Sequence, residues 1–145
     1  MRTSRVLVGV ALGALMATGL LTAQSPSGVA GEGVYAAAQA SKGKAQYVAN
    51  CVGCHMEDLS GGGPAPALTG DAFFAQNANR SVADLFTRIK TTMPPDRPEQ
   101  LDDSTYVELI AYLLQEAGLS SGRALPLQID ALKQIQIPRG KPGKE

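Results

Sequence analysis

Both cysteines and the only histidine of this 145-residue chain stand within five positions, in Cys51-Val52-Gly53-Cys54-His55. Scattered at random, two Cys and one His would fall into that order on the order of once in ten thousand chains, so the C-x-x-C-H pattern calls for a chemical reading. A dithiol redox pair belongs in a βαβ setting, and no such alternation of strand and helix patterns surrounds this one. A zinc site takes four ligands as a rule, and no further Cys or His completes a set. A disulfide between residues three apart closes too small a loop to constrain the chain. Covalent haem uses every member. Two thiols add to two vinyl groups, and the adjacent imidazole reaches the iron, so one short segment fixes both the edge and an axial ligand. Cys51, Cys54 and His55 are therefore the candidate residues for one covalent haem c.

An iron with His on one side needs a sixth ligand or an open position. No second His exists, and beyond the N-terminal leader the methionines are Met56 and Met93. Met56 follows the His directly and cannot reach the opposite face. Met93 sits in a proline-stiffened stretch, "TTMPP", well separated in sequence. By elimination Met93 is the expected second metal ligand; the competing reading is a Met that only fills the core. His/Met ligation fills both axial positions and favours ferrous iron, which implies outer-sphere electron transfer. The alternative is an open iron in a haem enzyme or gas-binding sensor, and the lack of a distal His or Arg/His pair argues against peroxide chemistry.

Composition agrees with a small domain that needs a cofactor. Apolar residues make up 44% and charged residues 18%, which suits a globule. Only 5% are aromatic and Trp is absent, so the polypeptide's own core is thin and a buried macrocycle would add apolar surface. Formal net charge is zero and no Lys/Arg run is present, which gives no footprint for nucleic acid.

Arg2 and Arg5 precede an apolar run from Val6 to Leu21 that is too short for a secure membrane span. Residues 1–23 therefore read as a signal peptide, which implies export to the periplasm. Cleavage after Ala23 and cleavage after Ala30 both remain open, as does an uncleaved anchor helix. Residues 24–36 read as a linker, 37–118 as the haem domain and 119–145 as a C-terminal tail. From Ser41 to Gly118 there are six Lys/Arg and ten Asp/Glu, a charge of −4; from Leu119 onward five and two, a charge of +3. The tail is thus expected either to fold back electrostatically on the acidic body or to grip an acidic partner.

Helical patterns lead into the motif, with Gly43, Tyr47 and Cys51 on one face. A helix is expected from Ser81, capped with Asp84, carrying Leu85, Phe86 and Ile89 inward. Another follows Asp102, with Tyr106, Leu109, Ile110 and Leu113 in register and Gly118 as its stop. A short helix is expected around 129–135. The fold class is all-α, three to four helices and long loops wrapped around one covalent haem.

"KGKAQYVANCVGCH", "GPAPALTG", "TTMPP" and "ELIAYLL" together resemble the class I cytochromes c over residues 40–118. The resemblance implies a close crossing of the first and last helices, with Gly43, Tyr47, Leu109 and Tyr112 at the contact. It implies that the Pro66 carbonyl accepts the Nδ1 proton of His55, that Leu68 and Leu113 touch the haem face, and that Met93 ligates the iron. The tail is similar to that of small periplasmic cytochromes that accompany quinoprotein dehydrogenases. Those often carry a Trp near position 77, where this chain has Asn77; Arg80 and Asn77 are the candidates to serve a haem propionate instead. The implied partners are redox proteins, a quinoprotein dehydrogenase as donor and an oxidase or another cytochrome as acceptor, met as a monomer or in a transient complex with no membrane span after cleavage.

Overall fold

The computed structural model describes residues 28–29 and 33–141. The expected signal peptide and both cleavage positions, Ala23 and Ala30, lie outside the described residues. Helices α1 (Ala37–Asn50), α2 (Val52–His55), α3 (Gly70–Asn77), α4 (Val82–Thr92), α5 (Asp103–Glu116) and α6 (Ile129–Lys133) are joined by loops. Strand β1 (Gly28–Val29) pairs in parallel with β2 (Ile135–Gln136). Among the described residues the fold is all-α apart from this short pair and two isolated bridges, Gly62–Ala65 and Ser81–Gln136.

Helix α1 turns Ala40, Gly43 and Tyr47 into the core at helical spacing. It crosses α5 at Gly43. A Cβ at that position would run into the Glu108 carbonyl and stand 2.9 Å from the Tyr112 Cβ. The missing side chain is what lets the two backbones touch. One turn on, the Tyr47 and Tyr112 rings meet at 5.4 Å and 54°. On the outer side the exposed Lys42 and the half-buried Glu108 form a 3.5 Å ion pair of little energetic weight.

The expected cap of α4 is present. Ser81 Oγ accepts from Asp84 N at 3.1 Å, and Asp84 Oδ2 accepts from Ser81 N at 2.8 Å. The Ser81 hydroxyl also donates to Asp84 Oδ2 at 2.8 Å, and this bond first, then the one from Ser81 N, holds the Asp84 carboxyl below its usual range. Asp102 precedes α5 as expected, but its side chain makes no capping bond. Gly118 ends α5 at φ 83°, with Gly118 N donating to Gln115 O and Leu119 N to Leu114 O, the double closure of a left-handed C-terminal cap. Helix α3 had no counterpart in the sequence pattern: eight residues are too few to show a period, although Phe73, Phe74 and Asn77 are all buried.

The tail is held differently from the electrostatic expectation. Leu119, Leu125, Leu132, Ile135 and Ile137 are buried in the same core as α4 and α5. Gln39 on α1 clamps Leu125 from both sides, accepting from its N–H at 2.8 Å and donating to its carbonyl at 2.9 Å. Tyr35 Oη donates to the Leu119 carbonyl at 2.7 Å. Val34 and Tyr35, read from sequence as the end of a linker, are core residues. Among the described residues the tail's ion pair, Lys133–Asp130 at 2.8 Å, lies within the tail itself and reaches no acid on the body. Apolar burial, not charge, fastens this segment, because five aliphatic side chains outweigh exposed ion pairs.

Two outcomes follow from this packing. Gly43→Ala should lower stability by at least the ~1–3 kcal/mol typical of overpacking, since the obstacle is backbone and cannot rotate away; an unchanged thermal midpoint would contradict the crossing. Deleting residues 125–145 removes four buried aliphatic side chains, each worth about 1.5–3 kcal/mol. That is most of a small domain's net stability. The truncated protein should melt far below the full chain at every salt concentration, whereas an electrostatic strap would lose its effect in high salt.

Candidate haem site

The C-x-x-C-H stretch is one turn of helix. Cys51 interrupts α1, and the bonds Cys54 N to Cys51 O (3.2 Å), His55 N to Cys51 O (3.0 Å) and Met56 N to Val52 O (3.0 Å) close α2. Residues three and four apart then share a side, which puts both thiols and the imidazole on one wall. The cysteines are not bonded to each other; Cys51 is half-buried and Cys54 exposed. Burial pushes the Cys51 thiol up to about 11, with Arg97 opposing and Cys54 adding to the shift.

His55 is buried, and its Nδ1 lies 2.9 Å from the Pro66 carbonyl oxygen. That carbonyl has no proton, so Nδ1 donates and Nε2 keeps its lone pair for an iron. The loop that brings Pro66 back begins at Met56, whose φ of 62° and ψ of 162° fall in a region essentially reserved for glycine. Such a residue stores about 1–3 kcal/mol of strain. The Met56 carbonyl accepts from Tyr47 Oη at 2.7 Å, and Gly61 N donates to the His55 carbonyl at 3.1 Å. Burial, with Cys51, Tyr112 and Asp58 adding to it, raises the Tyr47 phenol well above its ordinary value, so the hydroxyl remains a donor.

These residues line a cavity of about 930 Å³, at the upper end for a small-molecule site. Cys51, Cys54, His55, Pro66 and Leu68 come from the first half of the chain, Met93 and Leu113 from the second, and all seven reach it. Met93 arrives as the C-cap of α4, its N–H bonded to Ile89 O at 2.8 Å. Phe73, Leu85, Ile89 and Leu109 complete apolar walls suited to a macrocycle.

Arg80 is not brought to the site. It is exposed, precedes the Ser81 cap and spends its carbonyl on Ile137 N at 2.9 Å. Two arginines do line the cavity, Arg97 at its mouth and Arg88, which lies two turns beyond Arg80 on the face of α4 that carries Leu85 and Ile89. Its Nη2 donates to Asn77 Oδ1 at 2.6 Å, while Asn77 Nδ2 donates to Phe73 O at 2.8 Å. Asn77 lines the cavity too, but its amide is occupied within the protein and serves to aim Arg88. Burial, then the charge of Arg80, lowers Arg88 from the usual guanidinium value. The helical spacing from Leu85 was the available sequence signal for Arg88. Arg97 and Asn50 were missed for another reason: they meet across the mouth, Nη2 to Oδ1 at 3.1 Å, from segments 47 residues apart.

Two unlinked thiols, an imidazole with a fixed tautomer, a thioether, apolar walls and a cation for acidic substituents make a donor set that fits haem c. A family model described as "Cytochrome C oxidase, cbb3-type, subunit III" matches residues 38–113, just over half of the chain. The chain belongs to this family and is a class I monohaem c-type cytochrome. Membership implies covalent haem c and haem-based electron transfer rather than catalysis. No curated protein and no solved structure matches the chain.

Proposed function

We propose that this protein is a periplasmic one-electron carrier whose haem is held by thioethers to Cys51 and Cys54 and ligated by His55 and Met93. The carrying observation is the single cavity that gathers both thiols, Met93 and a His55 already fixed through Nδ1 to Pro66. The bound group supplies a ferric/ferrous couple; the chain's residues set where that couple sits and who can reach it. The Pro66 carbonyl makes the imidazole more basic and fixes its orientation. Leu68 and Leu113 exclude water from the faces of the site. Arg88, aimed by Asn77, is the residue to hold a propionate, in place of Arg80.

The exposed Cys54 and the surrounding Gly53, Pro64, Ala65, Pro94 and Pro95 form a rim of small and apolar residues. Such a rim suits brief contacts with redox proteins, a quinoprotein dehydrogenase as donor and an oxidase or another cytochrome as acceptor. Export rests on the basic, apolar leader of residues 1–23. Among the described residues no helix is long and apolar enough to cross a membrane.

Denaturation in acid followed by organic extraction should leave haem on the polypeptide, and Cys51→Ala should cut or abolish assembly; haem extracted from the natural sequence would end the covalent reading. Met93→Ala should keep the haem attached, lower the reduction potential, remove the weak Met-to-iron charge-transfer band of the ferric spectrum and strengthen imidazole binding by at least about tenfold, ~1.4 kcal/mol. A high-spin ferric spectrum in the unmutated protein, or no change on substitution, would instead support an open iron and a sensor or enzyme.

A further inference from the structure

Met56 is the joint between two parts of the site. Before it, α2 ends on His55; after it, the loop returns to present Pro66 to the ring of that same His55. Its backbone stands at φ 62° and ψ 162°, where a side chain persists only if its surroundings over-determine it. Two donors hold its carbonyl oxygen. Leu59 N lies at 3.3 Å, a long bond, and Tyr47 Oη at 2.7 Å, a short one. Tyr47 itself is held in place: it is 1% exposed and its ring packs at a tilt against that of Tyr112 at the helix crossing. A rigid helix pair therefore pins a strained peptide next to the candidate iron ligand.

We propose that Tyr47 is a positioning residue for His55, its hydroxyl pinning the Met56 peptide so that the Pro66 carbonyl stays in register with Nδ1. This rests on the haem-ligand role of His55 proposed above. Without the pin, the Met56 peptide relaxes toward an ordinary conformation and the loop carrying Pro66 shifts with it. The Nδ1 hydrogen bond weakens, the imidazole becomes less basic, and ferric iron is stabilised less. The reduction potential then rises. Tyr47 also lines the cavity, so its hydroxyl has a second route to the haem, a direct dipole effect. The two routes separate at position 56. Glycine adopts φ 62° without strain, so with Gly at that position the joint holds its shape with no pin.

The experiment uses the haem-loaded protein with Tyr47→Phe, Met56→Gly and the double variant. Tyr47→Phe should keep full haem content, raise the potential and speed solvent exchange of the His55 Nδ1 proton by at least tenfold, read by NMR of the reduced state. Adding Met56→Gly should return both readouts toward the parent. Met56→Gly alone should raise the thermal midpoint, since strain is released; this variant carries the test even if Tyr47→Phe folds poorly, and a lower midpoint would overturn the strained joint. Tyr47→Phe with unchanged potential and proton exchange would overturn the proposal whatever its melting temperature. A shift that Met56→Gly fails to reverse would overturn it in favour of the direct dipole effect. Absence of covalent haem from the parent protein would defeat the underlying site reading, and is seen before any variant is made.

Discussion

The backbone contact between Gly43 and Glu108 is the constraint on which the rest of the structure depends. It sets the depth at which α1 and α5 cross, and with it the meeting of Tyr47 and Tyr112. Everything that follows along α1 inherits that placement. Two turns beyond Gly43, the chain reaches Cys51 and the helical turn that carries both thiols and His55. On the partner helix, Leu109 and Leu113 inherit the same depth and become walls of the cavity. A bulkier residue at position 43 would move both walls at once. The fold thus positions its candidate cofactor residues by a missing side chain rather than by an added bond.

The loop from Met56 to Leu68 does the second half of the positioning. It must leave α2, turn, and bring a carbonyl back to the ring it has just left. Five hydrogen bonds close this return: Tyr47 to Met56, Leu59 to Met56, Gly61 to His55, Leu68 to Leu59 and His55 to Pro66. Net contributions of about 0.5–1.5 kcal/mol each are enough to offset the backbone strain at Met56. A fully relaxed turn would leave the Nδ1 contact to chance. Here the tautomer of His55, and so the nitrogen presented to an iron, follows from the path of the main chain.

The sequence made part of this legible. C-x-x-C-H carries its chemistry in five adjacent residues, and Gly43, Tyr47, Leu109 and Leu113 lie on long helices whose period can be read. The Ser81–Asp84 cap was legible because its two partners are three residues apart. Arg88 was not legible because it reaches Asn77 only where α3 meets α4, eleven residues apart in sequence. The strain at Met56 has no sequence signature: nothing in "CHMED" announces a left-handed backbone. The tail misled for a physical reason. Its net charge is visible in the sequence, while the burial of Leu125, Leu132, Ile135 and Ile137 depends on surfaces of distant helices.

Those surfaces tie the tail to the site through α4. One side of α4 gives Leu85, Arg88 and Ile89 to the cavity, and its end gives Met93. The rest of the helix packs against α5, α6 and β2, with Val82, Ala83 and Phe86 buried. Hydrogen bonds from Asn79 N to Ile137 O at 3.1 Å and from Ile137 N to Arg80 O at 2.9 Å fix the segment just before the helix. An amphipathic helix without these neighbours would have one face on a cofactor and the other in water. The tail supplies the apolar cover that the chain's low aromatic content denies to the core. A segment distant from C-x-x-C-H in sequence thereby backs the helix that carries Met93, and the position of the thioether depends on burial at Leu132 and Ile135 as well as on the loop that contains it.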